Sequence, residues 1–154
     1  NTIAEEYRTL TTMVDKIKVT LAQEIQLCTA HLQIMSLRRD CQFTLNLDIE
    51  NDQLMIPPGI IHTLLENAFS HQVYQSNTYI FKLTVLQIGD GFSLQLFAPH
   101  GIKRISSKLG LGTGKQYISA RMQALYADRW RLSESDLDDG WLTELRVIDE
   151  NTNP

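Results

Sequence analysis

Residues 64–72, LLENAFSHQ, place three side chains that could bind a ligand or take part in catalysis inside an otherwise apolar stretch. Glu66 and Asn67 supply a carboxylate and an amide oxygen, hard ligands that suit a Mg²⁺ ion that keeps several waters and bridges to phosphate. Taken singly, such a pair is more often the partly exposed polar edge of a helix. His71 alone is more often a histidine at the edge of a core than a functional one. The segment therefore permits a metal and phosphate site without requiring one.

The second candidate is the glycine-rich segment GLGTGK, residues 110–115. It is not a P-loop, because Leu109 stands where that motif requires its first glycine and Gln116 where it requires Ser or Thr. It is not a dinucleotide fingerprint either, because its glycines are spaced evenly by two and follow an irregular segment instead of a strand. Closely spaced glycines before a helix can still bring backbone amides close to phosphate oxygens. A flexible loop that needs glycine to turn is the alternative.

The periodicity of apolar residues predicts three helices, and the segment LLENAFSHQ lies on the third. Apolar residues recur at steps of three and four from Ile3 to about residue 18, which predicts a first helix. A second helix follows Thr20, which forms a capping box with Gln23. A third helix opens at Pro57–Pro58, since proline is tolerated in a first turn, and it holds the Glu-Asn pair beside its apolar stripe.

Alternation with a period of two marks the strands. QFTLNLDI (42–49) predicts one strand, residues 78–98 predict a hairpin that turns at Gly89–Gly91, and residues 129–148 predict a final hairpin. Residues 99–114 lack periodicity, so we expect a long mobile loop there, followed by a helix from about Lys115 to Tyr126. This order of elements predicts an α+β fold: a two-layer α/β sandwich whose mixed sheet is covered by helices on one face.

Composition narrows the class of protein. The 154 residues, 43% hydrophobic and 21% charged, suffice for one folded domain with a helical extension. The net charge of −4 argues against nucleic-acid binding. Isolated Cys28 and Cys41 indicate neither a cysteine-based zinc site nor a disulfide framework, so we expect a reducing intracellular setting. No apolar run approaches the roughly 20 residues of a membrane span. Because the chain begins at Asn1 and not Met, we expect a piece of a longer protein.

Several segments resemble one family. IPPGIIHTLLENAFSH (56–71) resembles the N-box of LytS/YehU-type sensor histidine kinases, approximately iPPlilqPLvENAikHg. GTGKQYISARMQALYA (112–127) is similar to their second glycine box, GxGLxNvrxRLxxxyg. NTI (1–3) resembles the end of their PHFLFNxLNTI phosphoacceptor box, and VTLAQEIQLCTAHLQIMSLRR (19–39) resembles their vtLxeElexvxxYlxiqxxRf helix. The match spans nearly the whole chain, with its elements in family order.

The resemblance implies the Bergerat ATP-binding fold of the GHKL superfamily, with residues 1–40 as the end of the dimerisation and phosphoacceptor region and residues 41–150 as the ATP-binding domain. It implies that Asn67 coordinates Mg²⁺ between the nucleotide phosphates and that Glu66 polarises the attacking group or water. Lys103, Arg104 or Lys108 would add charge near the phosphates. The other nucleotide-binding positions that it implies are Ser70, His71, Gly101, Lys108, Gly110, Gly112 and Gly114.

The chain also departs from the family pattern. The first glycine box of the family provides an aspartate that accepts a hydrogen bond from the adenine amino group, whereas this chain has Ala98, Pro99 and His100 at that place. Ser70 stands where a basic residue is usual, and Tyr117 stands where the second glycine box has Asn. Loss of a buried acceptor costs about 1–3 kcal/mol, or roughly tenfold to a hundredfold in affinity.

Two functional hypotheses follow. The first is the ATP-binding catalytic domain of a two-component sensor histidine kinase, an enzyme that transfers the γ-phosphoryl group of ATP, with Mg²⁺, to a histidine outside this sequence. The second is a degenerate GHKL domain with weak or no ATP binding, which serves as a dimerisation or partner-docking scaffold. An unrelated α/β domain would require several ordered coincidences.

The resemblance also implies the partners and the location. We expect ATP and a response regulator as partners and a homodimer in the full-length protein, with no nucleic acid and no direct membrane contact by this part of the chain. We expect a cytoplasmic domain of a membrane-anchored sensor protein.

Overall fold

The computed structural model describes residues 3–6, 17–104 and 111–150. Residues 3–6 are helical, and the longer helices in these ranges are α1 (Leu21–Arg39), α2 (Ile60–His71) and α3 (Leu111–Tyr126). The strands in chain order are β1 (Val19–Thr20), β2 (Gln42–Ile49), β3 (Met55–Ile56), β4 (Gln72–Val73), β5 (Thr78–Ile88), β6 (Gly91–Pro99), β7 (Lys103–Arg104), β8 (Trp130–Asp136) and β9 (Gly140–Val147).

The five longer strands form one mixed sheet in the order β2-β5-β6-β9-β8. β2 pairs in parallel with β5, from Gln42 opposite Thr78 to Ile49 opposite Val85, and the other neighbours are antiparallel. The two-residue strands pair separately, β1 with β3 and β4 with β7. The predicted hairpins are therefore β5–β6, which turns through Gly89 at a φ of 62°, and β8–β9.

One face of the sheet carries the helices. In β5 the side chains of Tyr79, Phe81 and Leu83 are buried, whereas Ile80 and Leu86 on the opposite face are 43% and 44% exposed. This alternation follows from the period-two side-chain direction of a strand. The predicted α+β fold, a two-layer α/β sandwich with a mixed sheet, is confirmed.

The start of α1 agrees with the sequence, and the start of α2 differs. The Gln23 amide donates to Thr20 Oγ1 at 3.1 Å and the Thr20 amide to Gln23 Oε1 at 2.9 Å, which completes the predicted capping box. α2 begins at Ile60, not at Pro57–Pro58, because Gly59 before it has a left-handed φ of 79°. Glycine adopts that conformation without the steric penalty of a Cβ.

The segment predicted as a loop over 99–114 is partly regular. Lys103–Arg104 forms β7, and α3 begins at Leu111, before the predicted start at Lys115. The glycines at 112 and 114 therefore lie in the first helical turn, and at Gly114 the close approach of α2 makes a small residue suitable. The rest of this prediction, residues 105–110, lies outside the described residues.

The hydrophobic core unites α1 with the rest of the fold. Leu27, Cys28 and Leu32 of α1 belong to the same buried cluster as Phe81 of β5 and Leu65 of α2. The division between a helical segment and an ATP-binding domain near residue 40 stays a prediction. Most of the predicted helix over 3–18 lies outside the described residues, and residues 17–18 are not helical. Among the residues that the structure describes, no helix combines the length and apolar character needed to cross a bilayer.

Candidate functional site

A cleft of about 120 Å³ opens between α2, the first turns of α3 and the helix-covered face of the sheet. Its walls are largely apolar with a few polar groups, which is the usual chemistry of a small-molecule site. The residues that line it are Leu64, Asn67, Ala68, His71, Gln72, Leu96, Ala98, Lys115, Glu134, Trp141 and Thr143.

Asn67 lies where α2 meets α3. A Cβ added at Gly114 would be 2.7 Å from Asn67 Oδ1 and 3.3 Å from a methyl carbon of Thr63. The backbone at the start of α3 therefore approaches the Asn67 amide more closely than a larger residue permits. The structure thus brings together two of the residues that the sequence singled out, one from each motif.

His71 occupies the cleft with both ring nitrogens buried. Neither Nδ1 nor Nε2 has a hydrogen-bond partner within the part of the chain that the structure describes. Buried polar groups are almost always paired, so an unpaired ring that borders a cleft is a place where a polar ligand gains a contact.

The other predicted nucleotide-binding residues are placed less directly. Ser70 is exposed, its hydroxyl donates to the Glu66 carbonyl at 2.9 Å, and it is not among the cleft residues. The Gly101 amide donates to Gln72 Oε1 at 2.9 Å, so Gly101 holds the side chain of a cleft residue without lining the cleft itself. Gly112 lies in the first turn of α3. Lys108 and Gly110 lie outside the described residues.

Glu66 is turned away from the cleft and toward α1. Its Oε1 is 2.8 Å from His31 Nε2, and His31 Nδ1 is 2.9 Å from Glu6 Oε1. The hydrogen bond with His31 lowers the pKa of Glu66, although partial burial opposes the shift. Burial of the His31 ring opposes its protonation, but Glu66 and Glu6 outweigh that effect and raise the pKa of His31. Glu66 is therefore an ionised carboxylate held by a histidine, and its catalytic role stays a prediction.

Glu24 of α1 fixes the start of the helix that carries these residues. Its carboxyl oxygens accept hydrogen bonds from the amides of Gly59, Ile61 and His62 at 2.9, 3.1 and 3.3 Å. Gly59 offers no side chain to cap α2, so Glu24 satisfies the free amides from a neighbouring helix. Glu24 is fully buried, and this burial raises its pKa to about 7 despite the three hydrogen bonds, which lower it.

The raised pKa of Glu24 predicts a loss of stability as the pH rises. The unfolded carboxyl ionises near its ordinary pKa of 4.5, whereas the folded one stays protonated up to about pH 7. Between these values the unfolded state binds fewer protons, so the free energy of unfolding falls by about 1.4 kcal/mol per pH unit from this group. Denaturant unfolding across this window should show the fall relative to Glu24→Gln, which cannot ionise. Parallel pH profiles for the two proteins would contradict the assignment.

Ala98 was singled out from the sequence, whereas the cleft residues Lys115, Glu134, Trp141 and Thr143 were not predicted as site residues. Ala98 is buried in the cleft wall, so the position that carries an aspartate in the family pattern is occupied by a methyl group. Lys115 Nζ lies 3.4 Å from Glu134 Oε2 across the mouth of the cleft. Trp141 and Thr143 line the cleft from β9. Their alternation in WLTELRVI placed them on one face of a strand, but no sequence signal identified which face borders a site.

Curated proteins of similar sequence include the LytS sensor proteins of staphylococci. No protein-family model matches the chain. The chain is 26% identical over 125 residues to the sensor protein LytS of Staphylococcus haemolyticus, a match that covers 72% of this chain and 21% of that protein. It is 23% identical over 124 residues to the sensor histidine kinase/phosphatase LytS of Staphylococcus aureus strain Mu50, covering 70% and 21%. The chain thus spans about a fifth of the length of these curated relatives.

Solved structures with a similar fold include histidine kinases. The histidine kinase domain of the Erythrobacter litoralis EL346 blue-light activated kinase matches with a TM-score of 0.64 at 13% identity, over 93% of this chain and 76% of that one. The catalytic domain of histidine kinase ThkA matches with a TM-score of 0.61 at 11% identity, over 84% and 95%. At these identities the likeness shows the fold. The family resemblance of the motifs is therefore confirmed: the chain is similar to the C-terminal region of LytS-type sensor histidine kinases and has the fold of a histidine kinase catalytic domain.

Proposed function

We propose that this chain binds ATP in the cleft beside α2, together with Mg²⁺, and transfers its γ-phosphoryl group to a histidine outside this sequence. It would thus act as the catalytic domain of a two-component sensor histidine kinase. The observation that carries the proposal is the meeting of Asn67 with the first turn of α3 at the edge of a largely apolar cleft. The buried, unpaired ring of His71 supports a polar ligand in the same place.

The phosphate end of ATP would lie against Asn67 and the start of α3. The amide oxygen of Asn67 suits Mg²⁺, which takes a few protein ligands and completes its shell with phosphate oxygens and water. Mg²⁺ bound there would neutralise charge on the phosphates. Lys115 can exchange its half-exposed contact with Glu134 for a phosphate oxygen, because exposed ion pairs contribute little to stability. Phosphoryl transfer needs this positioning and charge neutralisation more than covalent participation.

The base would occupy the apolar part of the cleft. A volume of about 120 Å³ is small beside the roughly 300–1,000 Å³ of whole-ligand sites, so the phosphates would extend beyond it. Leu96 and Ala98 offer apolar surface for a ring, and no carboxylate occupies position 98. Thr143 and Gln72 are the cleft residues that could accept the hydrogen bond of an adenine amino group in its place.

The partners and location proposed for the longer protein rest on the relatives. The structure of ThkA in complex with the response regulator protein TrrA matches this chain with a TM-score of 0.52 at 12% identity. On this basis we propose that the present protein has a response regulator as its partner. We also propose that its full-length form is a homodimer. The LytS proteins are described as sensors, and for the present chain we propose a cytoplasmic domain of a membrane-anchored sensor.

A second candidate function is supported by Ala98. Since a nucleotide would lose its carboxylate acceptor at that position, its affinity could fall by roughly tenfold to a hundredfold. A domain that no longer binds ATP would serve as a scaffold for dimerisation or docking. The two functions differ in one measurable property, the affinity for Mg-ATP.

Calorimetric titration with ATP and Mg²⁺ tests the proposal. We expect saturable heat below about 1 mM nucleotide, within the usual range for enzyme substrates. Asn67→Ala should weaken binding by roughly tenfold to a hundredfold, because it removes a contact to a charged ligand. Gln123→Ala, an exposed change on α3 outside the cleft, is the matched control and should bind as the unmodified chain does. Absence of heat at millimolar nucleotide in the unmodified chain would favour the scaffold.

A further inference from the structure

A cluster of metal-ligating side chains lies outside the cleft, between residues 3–6, α1 and α2. Glu6 Oε1 is 2.9 Å from His31 Nδ1 and 3.2 Å from His62 Nε2. The three ligand atoms all lie within 4.8 Å of one another, and the two imidazole rings are 4.7 Å apart at their centroids. His31 is buried and the other two are half-buried, so the cluster is shielded from solvent on one side.

A neutral His31 cannot donate a hydrogen bond to both of the carboxylates beside it. Its Nδ1 faces Glu6 and its Nε2 faces Glu66, so each ring nitrogen meets a carboxylate oxygen. A neutral imidazole has one N–H and one lone pair, and therefore can donate to only one of the two carboxylates. Two carboxylates against one imidazole call for a positive charge there, either a second proton on His31 or a metal ion between Nδ1 and Glu6 Oε1.

We propose that Glu6 Oε1, His31 Nδ1 and His62 Nε2 form a Zn²⁺ site, with Glu66 as the carboxylate that orients His31. Two imidazoles and one carboxylate are an established zinc ligand set, with water at the fourth position. Bonds of about 2.0–2.2 Å in a tetrahedron place ligand atoms roughly 3.4 Å apart. The separations of 2.9 and 3.2 Å from Glu6 Oε1 lie slightly below that value, and all three ligand atoms lie within 4.8 Å of one another, so small side-chain movements would close the site.

Glu66 supplies the outer contact that such sites commonly have. A histidine bound to a metal usually donates its other ring N–H to a carboxylate, which fixes its tautomer and orientation. Glu66 Oε1 lies 2.8 Å from His31 Nε2, close enough for this contact once the ring turns its N–H toward the carboxylate. The imidazoles also discriminate among metals, because Mg²⁺ prefers oxygen ligands whereas Zn²⁺ accepts nitrogen. None of the three ligands lines the cleft, so this site does not depend on nucleotide binding.

Zn²⁺ titration of the purified chain by calorimetry, with metal content measured after dialysis, tests the proposal. We expect one Zn²⁺ per chain, saturating at micromolar free metal. His62→Gln and Glu6→Gln should each weaken binding by at least roughly tenfold, and Glu66→Gln by roughly tenfold to a hundredfold. The matched control is His100→Ala, because His100 also contacts a carboxylate, at 3.2 Å from Asp136, but is remote from the cluster in the fold.

A second readout separates ligation from loss of structure. Co²⁺ in a tetrahedral nitrogen and oxygen site absorbs visible light far more strongly than octahedral Co²⁺ in water. The unmodified chain and His100→Ala should show this absorption, and His62→Gln should lose it while keeping its circular dichroism spectrum. Absence of Zn²⁺ binding, or binding that survives both His62→Gln and Glu6→Gln, would overturn the assignment.

Discussion

Replacing Glu24 with alanine is expected to lower the free energy of unfolding by about 3–4 kcal/mol. The substitution removes the acceptor of three backbone amides, those of Gly59, Ile61 and His62, at the buried start of α2. Each amide left without a partner carries a desolvation penalty of about 1–3 kcal/mol, partly relieved where water can enter. The loss would spread to the cleft, since α2 carries Asn67 and His71.

Urea unfolding followed by circular dichroism measures this loss, and the exchange of the Gly59 and Ile61 amides locates it. Gln26→Ala is the matched control, because Gln26 is exposed on the same helix. Glu24→Gln should fall between the two, since the amide keeps the shape and one acceptor oxygen. If Glu24→Ala unfolds within about 1 kcal/mol of the control, the carboxyl does not cap α2 in the way the distances indicate.

Gly101→Ala is expected to destabilise the chain by about 2–3 kcal/mol and to weaken the binding of any ligand in the cleft. An added Cβ would overlap the carbonyl oxygen of Val73 and lie 2.8 Å from its carbonyl carbon. That carbonyl accepts the Ile102 amide at 2.8 Å, and the Gly101 amide itself holds Gln72. Because the obstacle is backbone, β7 must move away from β4 to make room.

Gly114→Ala is the natural comparison, because it adds the same methyl group. Its nearest neighbour is the Asn67 amide at 2.7 Å, a side chain that can rotate. We expect a smaller loss of stability there but a larger relative loss of nucleotide affinity, because the displaced group is the proposed Mg²⁺ ligand. Equal urea midpoints for Gly101→Ala and Gly114→Ala would contradict this distinction between backbone and side-chain obstacles.

Local signals predicted most of the architecture. The alternation from Phe43 to Ile49 predicted β2, and the turn at Gly89 predicted the β5–β6 hairpin, because both depend on neighbours in sequence. The capping box of Thr20 and Gln23 was predictable for the same reason. The left-handed Gly59 was not, since a preceding Pro-Pro pair is compatible with a helix that starts earlier.

Only those residues of the candidate site that belong to a sequence motif could be predicted. Asn67 and Gly114 belong to two separate motifs, and the structure brings them together. The orientation of Glu66 toward His31 depends on how α1 packs, and neither helix pattern encodes it. Glu24 looked like an ordinary residue of an amphipathic helix, because its amide partners lie far along the chain. Side chains that meet only through tertiary packing leave no periodic signal.

The parallel pairing of β2 with β5 has a consequence for the order of folding. β2 lies at the edge of the sheet and pairs with β5 as its neighbour there. Gln42 pairs with Thr78, and the segment between them includes all of α2. The β5–β6 and β8–β9 hairpins need only short closures. Contacts distant in sequence form slowly, because chain entropy is lost before they form. The two hairpins should therefore assemble early, and β2 should complete the sheet late, when Phe43 packs against Phe69 of α2.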